Sequence, residues 1–347
     1  MSEEKIKRTE LSELGEFALI DHLASGINLK NSSSKKGIGD DAAVIDNNDL
    51  LTLVSTDLLV EGIHFDLTYM PLKHLGYKAA VVNFSDIYAM NGIPQQLVVG
   101  IAVSNRFSVE ALEELYAGIR LACEKYHVDL VGGDTTTSPS GLFLSLTIIG
   151  SAQKNEVVYR NTANENDLIC VSGDLGSAYM GLLLLEREKA VFNANPEMQP
   201  DLDGYDYLLE RQLKPEARKD IVELFKTHKL IPTAMIDISD GLASEILHIC
   251  VSSNKGCALY EDKIPVDIST VTLCDDFNID PTTAALNGGE DYELLFTVSQ
   301  KDYEIIKEFQ EVSIIGHITE KNAGTNLITR SGQSAPLTAQ GWDSFRK

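Results

Sequence analysis

The sequence has no apolar stretch long enough to cross a membrane and no excess of basic residues. A membrane-spanning helix needs roughly 18 or more apolar residues, and no segment offers them. The opening segment, MSEEKIKRTELSELGEF, also lacks the apolar core and the small-residue cleavage site of a secretory signal. Because 52 acidic residues face 29 basic ones, the net charge is −23, and nucleic-acid phosphates or anionic lipids would be repelled. These absences predict a cytoplasmic protein that binds neither nucleic acid nor membranes.

Cysteine pairs and the common nucleotide-binding sequences are missing as well. The five cysteines include no CxxC pair, which argues against a disulfide framework or a zinc site and indicates buried small side chains. No GxxxxGKS or GxxxxGKT sequence occurs, which excludes a P-loop, and the HRD and DFG sequences of protein kinases are absent. If this protein transfers phosphoryl groups, it uses another scaffold.

Short apolar strands alternate with amphipathic helices along the 347 residues, a pattern typical of α/β or α+β proteins. A chain of this length is longer than one core usually absorbs, so two domains are expected. The polar segment 153–167 separates them, which predicts an N-terminal domain over 1–151 and a C-terminal α/β domain over 152–347.

Local patterns predict the individual elements. In the first half we expect a helix over 13–24, a mobile loop over 28–36, a hairpin with strands 42–45 and 50–56, helices over 75–90 and 108–126, and strands over 97–103, 128–131 and 142–149. In the second half we expect a strand over 168–172, helices over 177–187 and 216–228, a polar insertion over 193–204 and a helix that starts at Leu242. Ser108 is expected to cap its helix.

Acidic residues recur in Gly-, Ser- and Thr-rich segments that we expect to be turns at the ends of apolar strands. One such residue alone is explained by a turn or a helix cap. As a set they predict a cation site, because converging carboxylates repel one another unless divalent cations lie between them. Mg²⁺ fits best, since it takes oxygen ligands and shares them with substrate phosphates. The segments are GIGDDAAV (Asp40, Asp41), STDLLVEG (Asp57), NFSDIYAM (Asp86), VGGDTTTS (Asp134), MIDISDGLAS (Asp237, Asp240) and GGEDYELLF (Glu290, Asp291).

Neighbouring polar residues point to phosphate chemistry at this site. The hydroxyls of Ser55, Thr56 and Ser239 would add neutral oxygen ligands or phosphate contacts. Arg160 could clamp a phosphate with two hydrogen bonds, although a lone Arg in a polar segment is more often an ordinary surface charge. Phosphate chemistry assisted by several cations is therefore the hypothesis that the residues themselves support.

Three further side chains each have two explanations. His64, seven residues after Asp57, could assist the site, yet alone it is better explained as a structural histidine. Tyr116 lies on the apolar face of a predicted helix, where packing is the simpler role. Trp342 could stack on a ring or pin the C-terminal segment to the core.

The ordered set of motifs resembles the thiamine-monophosphate kinase family, which belongs to the aminoimidazole ribonucleotide synthetase-like superfamily. The matching segments spread over nearly the whole chain: LGEF, GIGDDAAV, STDLLVEGIHF, AAVVNFSDIYAMNG, LVGGDTTTS, SGDLGSA, IDISDGLASEI and GGEDYELLF. The resemblance implies an N-terminal α/β domain that forms a homodimer through its sheet and a C-terminal α/β domain that closes over the nucleotide. It also implies ATP-dependent phosphorylation of thiamine monophosphate to thiamine diphosphate by direct in-line transfer with several Mg²⁺ ions.

The resemblance carries roles over to individual positions. The implied metal ligands are Asp41, Ser55, Thr56, Asp57, Asp86, Asp134, Asp237 and Asp240. Among them, the implied catalytic residues are Asp57, Asp86, Asp134 and Asp237. The implied nucleotide contacts are Tyr116, Gly133, Asp134, Arg160 and Ser239, and the implied contacts to thiamine monophosphate are His64, Glu290 and Trp342. The insertion over 193–204 is looser than the family pattern and touches none of these positions.

Other functions stay open at this point. Within the superfamily the alternative is an ATP-dependent synthetase, although no cysteine precedes Cys123 and the chain ends in DSFRK, which disfavours the members that depend on a terminal cysteine. A non-catalytic nucleotide- or metal-binding protein and a metal-dependent phosphohydrolase are the alternatives from other classes.

The doublet Asp40-Asp41 is expected to divide two tasks. Successive side chains of an extended segment point to opposite sides, so adjacent carboxylates seldom serve one ion equally. The resemblance implies that Asp41 binds the cation, and we expect Asp40 to hold the loop, which should order when metal and ATP arrive.

Overall fold

Two β-sheets with helices packed on them form the structure, a computed structural model that describes residues 30–340. The helix predicted over 13–24 and Trp342 lie outside the described residues. The first sheet uses strands up to Ala152, and the second uses strands from Leu168 onwards. This arrangement confirms the mixed α/β prediction. Within residues 30–340, no helix is both long and apolar enough to span a bilayer.

The first sheet has six strands in the order β1-β2-β3-β6-β4-β5. The hairpin of β2 and β3 forms as predicted, with Ala43 opposite Val54. Strands β4 and β5 pair in parallel, whereas the other neighbours are antiparallel. The strands are β1 (Ser34–Lys36), β2 (Ala43–Asp46), β3 (Leu51–Val60), β4 (Ile93–Val103), β5 (Asp129–Thr137) and β6 (Leu142–Ala152).

Two long helices pack on each other and hold this sheet. They are α1 (Leu72–Ala89) and α2 (Val109–Tyr126). Their backbones meet at a pair of glycines. A Cβ on Gly76 would lie 1.9 Å from the Leu115 carbonyl oxygen, and one on Gly118 would lie 1.9 Å from the Lys73 carbonyl oxygen. The close crossing therefore needs glycine at both positions.

The second sheet has seven strands in the order β13-β12-β9-β11-β7-β10-β8. Its strands are β7 (Leu168–Ser172), β8 (Ala234–Asp237), β9 (Gly256–Tyr260), β10 (Leu294–Val298), β11 (Val312–Thr319), β12 (Thr325–Ile328) and β13 (Ser334–Pro336). The helices of this half are α3 (Ser177–Ala194), α4 (Asp206–Leu213), α5 (Lys219–His228), α6 (Leu242–Ser253), α7 (Ile268–Phe277), α8 (Pro281–Asn287) and α9 (Tyr303–Ile306).

Several predicted bounds differ from the structure. The predicted loop over 28–36 contains β1, which pairs with β2 despite its polar sequence. Helix α3 continues to Ala194, so the insertion starts later than predicted, and α4 follows it unpredicted. Helix α5 starts at Lys219 instead of 216, after a non-helical segment that includes Pro215.

The prediction that every acidic segment is a turn is wrong at three positions. Asp57 lies inside β3 and Asp134 inside β5, while Asp86 lies near the end of α1. Asp240 is not a helix cap either, because the N-cap position of α6 is Gly241. Regular elements, as well as turns, therefore present the acidic side chains.

One buried apolar cluster runs through both halves of the molecule. It joins Leu53 and Phe84 of the first half to Phe225 and Phe296 of the second. This continuous packing fixes α1 against the second sheet, next to β8. The five cysteines are buried and unpaired, as expected.

Candidate active site

A cavity of about 210 Å³ lies where the first sheet, α1 and the end of β8 meet. Carboxylates dominate its wall, which also carries a guanidinium and an imidazole. The lining residues are Asp40, Asp41, Ser55, Asp57, Asp86, Arg160, Ile236, Asp237, Ser239, Asp240, Glu245 and His248. These residues come from both halves of the chain, and we refer to this cavity as the acidic pocket.

Three of the carboxylates in the acidic pocket converge. Asp41 follows the bend over 38–42, Asp86 lies in the last turn of α1, and Asp237 ends β8. One oxygen atom of each lies within 4.8 Å of the other two. In addition, Oδ2 of Asp41 is buried without a hydrogen-bond partner. Buried carboxylate oxygens at this spacing, one of them unpaired, fit a hard divalent cation such as Mg²⁺.

The pKa values show how strongly these carboxylates are crowded without a cation. Burial raises the pKa of Asp41 to about 8, despite the nearby Arg160 guanidinium. Burial and the charge of Asp237 raise the pKa of Asp57 to about 6. Burial and the surrounding acids also hold the pKa of Asp86 well above its usual range. A bound cation would remove this protonation, because it favours the ionised carboxylates.

Two serine hydroxyls orient carboxylates of the cluster. Ser55 Oγ donates to Asp86 Oδ2 at 2.6 Å, and Ser85 Oγ donates to Asp237 Oδ2 at 2.5 Å. Ser85 lies on α1 and Asp237 on β8, so the second bond joins the two halves of the molecule. Both bonds favour the ionised carboxylates and fix their rotamers.

Arg160 brings a positive charge to the acidic pocket. Its Nη2 lies 2.6 Å from Asp41 Oδ1, and its Nε lies 3.5 Å from Asp40 Oδ1. The side chain is only 16% exposed. A guanidinium held this way is not an ordinary surface charge, which answers the alternative raised by the sequence.

Asp40 and Asp41 do not point to opposite sides as expected. The chain bends over 38–42 instead of running extended, so both carboxylates reach Arg160. Asp40 also accepts a hydrogen bond from the Asp41 backbone N–H at 3.1 Å and lies 3.6 Å from Lys36 Nζ. These contacts suit the supporting task that we expect for Asp40.

A turn over 238–241 and a loop over 288–292 lie against each other beside the acidic pocket. The Glu290 N–H donates to the Ser239 carbonyl oxygen at 2.7 Å. Gly289 has φ +73°, and a Cβ there would lie 2.6 Å from that same oxygen. Glu245, in the first turn of α6, accepts the backbone N–H of Asp240 at 2.8 Å and so holds the turn from the other side.

Glu290 is held by side chains from two helices. Lys78 Nζ of α1 lies 3.0 Å from Glu290 Oε1, and Gln212 Nε2 of α4 donates to Glu290 Oε2 at 2.9 Å. His64, the other implied substrate contact in the described part, accepts the Val60 N–H at its Nδ1. Neither Glu290 nor His64 lines the acidic pocket.

Four implied nucleotide or metal positions lie outside the acidic pocket of the single chain. Thr56 follows Ser55 in β3 and points to the other face, where its Oγ1 donates to the Leu146 carbonyl oxygen at 2.8 Å. Gly133 and Asp134 lie on the exposed edge strand β5. Tyr116 packs half-buried against the main core.

Sequence reasoning missed several residues that the structure places here. Glu245 and His248 line the acidic pocket, and Lys78 and Gln212 contact Glu290. Glu245 stands in the matched segment IDISDGLASEI, which was the available signal. The other three carry no sequence signal, because their positions depend on how α1, α4 and α6 pack.

Comparison with known proteins identifies first the domain type and then the family of this chain. The family model "AIR synthase related protein, N-terminal domain" matches residues 39–152, which include the bend of Asp41 and all of α1. This match identifies an AIR synthase-related N-terminal domain in the chain. The thiamine-monophosphate kinase of Bacillus subtilis is 33% identical over 339 residues, covering 96% of this chain and 100% of the relative. The chain belongs to the thiamine-monophosphate kinase family, as the resemblance predicted.

Two further matches support this assignment. The thiamine-monophosphate kinase of Buchnera aphidicola subsp. Schizaphis graminum is 37% identical, covering 91% of this chain and 94% of the relative. A solved structure, AaThiL complexed with AMPPCP and TMP, superposes with a TM-score of 0.83 at 31% identity, covering 97% of this chain and 99% of its own. The likeness therefore extends through both halves of the molecule.

Proposed function

We propose that this protein phosphorylates thiamine monophosphate with ATP, giving ADP and thiamine diphosphate. The observation that carries the proposal is the convergence of Asp41, Asp86 and Asp237 within 4.8 Å, beside Arg160, in a chain of this family. The solved relative complexed with AMPPCP, an ATP analogue, and TMP supports both substrates. The cofactors would be ATP and Mg²⁺.

The proposed phosphoryl transfer requires neutralisation of phosphate charge more than it requires a strong base. The acceptor is a phosphate that is already ionised at neutral pH, so no residue has to remove a proton from a poor nucleophile. Bound Mg²⁺ would neutralise phosphate charge and lower the Coulomb cost of bringing two anions together. Asp41, Asp57, Asp86 and Asp237 would hold the cations, with Ser55 and Asp240 as further ligands.

Arg160 would change partners during the reaction cycle. It now contacts Asp41 and Asp40. If Asp41 held a cation, the Arg160 guanidinium would be available to clamp a phosphate of the nucleotide with two hydrogen bonds, for which Arg is suited. Ser239 in the adjoining turn would supply a further nucleotide contact. Glu290 and His64 would contact the thiamine part, with Trp342 beyond the described residues.

The remaining positions support a homodimer. In the single chain, β5 is an exposed edge strand that carries Gly133 and Asp134. Leu58 and Val131 of the same sheet are 58% and 57% exposed, so the sheet presents apolar side chains on which a second copy could pack. We propose that a second copy packs on this sheet and that Thr56, Tyr116, Gly133 and Asp134 complete the nucleotide site. The division into domains over 1–151 and 152–347 and the cytoplasmic location stay predictions.

Phosphorus NMR tests the proposed reaction directly. The protein is incubated with ATP, Mg²⁺ and thiamine monophosphate, and the expected spectrum shows a growing diphosphate product together with ADP. Release of free phosphate alone would identify a phosphohydrolase, and an unchanged spectrum with nucleotide bound would identify a binding protein.

A matched pair of variants ties the activity to the acidic pocket. Asp57→Asn should abolish turnover while the far-ultraviolet circular dichroism stays unchanged, because Asp57 lines the pocket. Asp49→Asn, which removes a charge from an exposed turn of the first hairpin, should retain full turnover. Near-normal activity of Asp57→Asn would remove that residue from the metal site.

A further inference from the structure

Lys78 is a buried cation whose position links the two halves of the molecule. It is 2% exposed. Its Nζ donates to the Gln212 carbonyl oxygen at 2.9 Å and lies 3.0 Å from Glu290 Oε1. Burying an ammonium is costly unless it is paired and hydrogen-bonded, and both conditions are met here.

The partner carboxylate has both oxygens engaged and still faces solvent. Oε1 of Glu290 faces Lys78 and Oε2 accepts from Gln212, while the side chain is 32% exposed. A carboxylate offers about four lone-pair sites, so these two contacts leave acceptor capacity on its open side. Glu290 is thus held in one orientation while its carboxylate can still accept hydrogen bonds or face a cation.

Helix α1 carries residues of the carboxylate cluster and also carries Lys78, which contacts Glu290. Asp86 and Ser85 lie two turns further along α1 than Lys78, and they contact Ser55 and Asp237 respectively. Helix α1 therefore spaces the acidic pocket from Glu290 as one rigid element. Lys73, which lies on the same helix, is solvent-exposed and therefore serves as a comparison for Lys78.

We propose that Lys78 is a positioning residue that holds Glu290 toward the cationic thiazolium part of the acceptor. The inference rests on the proposed function, because it assigns the acceptor side of that same site. Without the ammonium, Glu290 can rotate away from the acceptor, whereas the nucleotide side keeps its contacts. Lys78 therefore acts on recognition of one substrate and leaves the other unaffected.

Steady-state kinetics with both substrates tests this selectivity. Lys78→Met should raise the KM for thiamine monophosphate about tenfold or more, the order expected for a misplaced charged contact, and change the KM for ATP less than about twofold. Lys78→Arg should recover part of the loss because it restores the charge and the donors. Lys73→Met is the matched control and should behave as wild type.

A double-mutant cycle separates positioning from a general structural effect. If Lys78 acts through Glu290, then Lys78→Met should cost nothing further for acceptor KM in a Glu290→Gln background. Equal rises of both KM values, or additive costs in the cycle, would overturn the inference. If Lys78→Met and Lys78→Gln both fail to fold while Glu290→Gln folds, Lys78 serves the core and the inference is equally overturned. A wild-type protein that forms no thiamine diphosphate would instead refute the proposed function.

Discussion

Removing one charge from the carboxylate cluster should stabilise the metal-free protein and abolish its response to Mg²⁺. The variant is Asp86→Asn, which keeps the size of the side chain and an acceptor for the Ser55 hydroxyl. Asp86 is the most informative position, because Asp57, Asp237 and Asp41 all raise its pKa in addition to burial. A bound cation would offset this unfavourable arrangement, because it favours the ionised carboxylates.

The size of the effect follows from the geometry. Two like charges 4.8 Å apart, the limit within which the oxygens of Asp41, Asp86 and Asp237 lie, repel by about 3 kcal/mol at an effective dielectric constant of about 20. Partial protonation reduces this cost, so we expect a gain of about 1–2 kcal/mol in the free energy of unfolding at pH 8. In a chain of 347 residues, a gain of this size raises the melting temperature by about 1–3 °C.

Thermal denaturation in EDTA and in saturating Mg²⁺ provides the assay. Ligand at about 100 times its dissociation constant stabilises a protein by about 2.7 kcal/mol, and Asp86→Asn should lose that gain. The order of stability should therefore cross: the variant melts higher in EDTA and the wild type melts higher in Mg²⁺. Glu113→Gln, on the exposed face of α2, should change neither value. A variant that is less stable than wild type by the same amount under both conditions would refute the cation site.

Three further predictions concern the same region. In urea denaturation, the metal-free protein should lose stability between pH 5 and pH 9. The folded-state pKa is raised to about 6 for Asp57 and about 8 for Asp41, so the stabilisation from their protonation is complete below the unfolded pKa near 3.8 and is lost as the pH rises through the folded-state values. Mg²⁺ should flatten this dependence of stability on pH. Arg160→Met should raise the KM for ATP about tenfold or more in initial-rate assays, with only partial recovery in Arg160→Lys, which cannot form a fork. Gly289→Ala should cost about 1–3 kcal/mol in urea denaturation because its Cβ would meet Ser239, whereas Gly332→Ala, at φ +79° in open space, should cost less.

The elements that the sequence predicted correctly have strong local signals. Helix α2 is amphipathic and is preceded by its N-cap Ser108, whose hydroxyl accepts the Ala111 N–H as expected. The later part of strand β5 has no such signal, since GGDTTT contains no apolar residue, and it continues the strand predicted over 128–131 because β4 offers a parallel partner. Pairing with β4 thus determines the strand conformation of a segment whose own composition indicates a turn.

The candidate site likewise has a part that the sequence predicts and a part that only the packing determines. The residue types needed for a cation site could be predicted, because Asp41, Asp86 and Asp237 stand in polar motifs beside apolar runs. Their spacing could not, since it depends on the packing of α1 against β8. The expectation that Asp40 and Asp41 diverge failed for a related reason, because it assumed an extended segment where tertiary contacts produce a bend.

In the proposed reaction, the contacts between the turn over 238–241 and the loop over 288–292 would set how the two substrates are aligned. Glu290 N–H donates to Ser239 at 2.7 Å, Tyr292 N–H donates to Ile238 at 2.9 Å, and Ile238 N–H donates to Glu293 at 2.8 Å. These three backbone bonds join the proposed nucleotide turn to the proposed acceptor loop as one unit. In-line transfer requires that the reacting groups lie about 3–3.5 Å apart, a tolerance that independently mobile loops would not keep. The alignment of donor and acceptor would therefore depend on this unit, whereas the proposed exchange of partners by Arg160 would require the bend of Asp41 to rearrange.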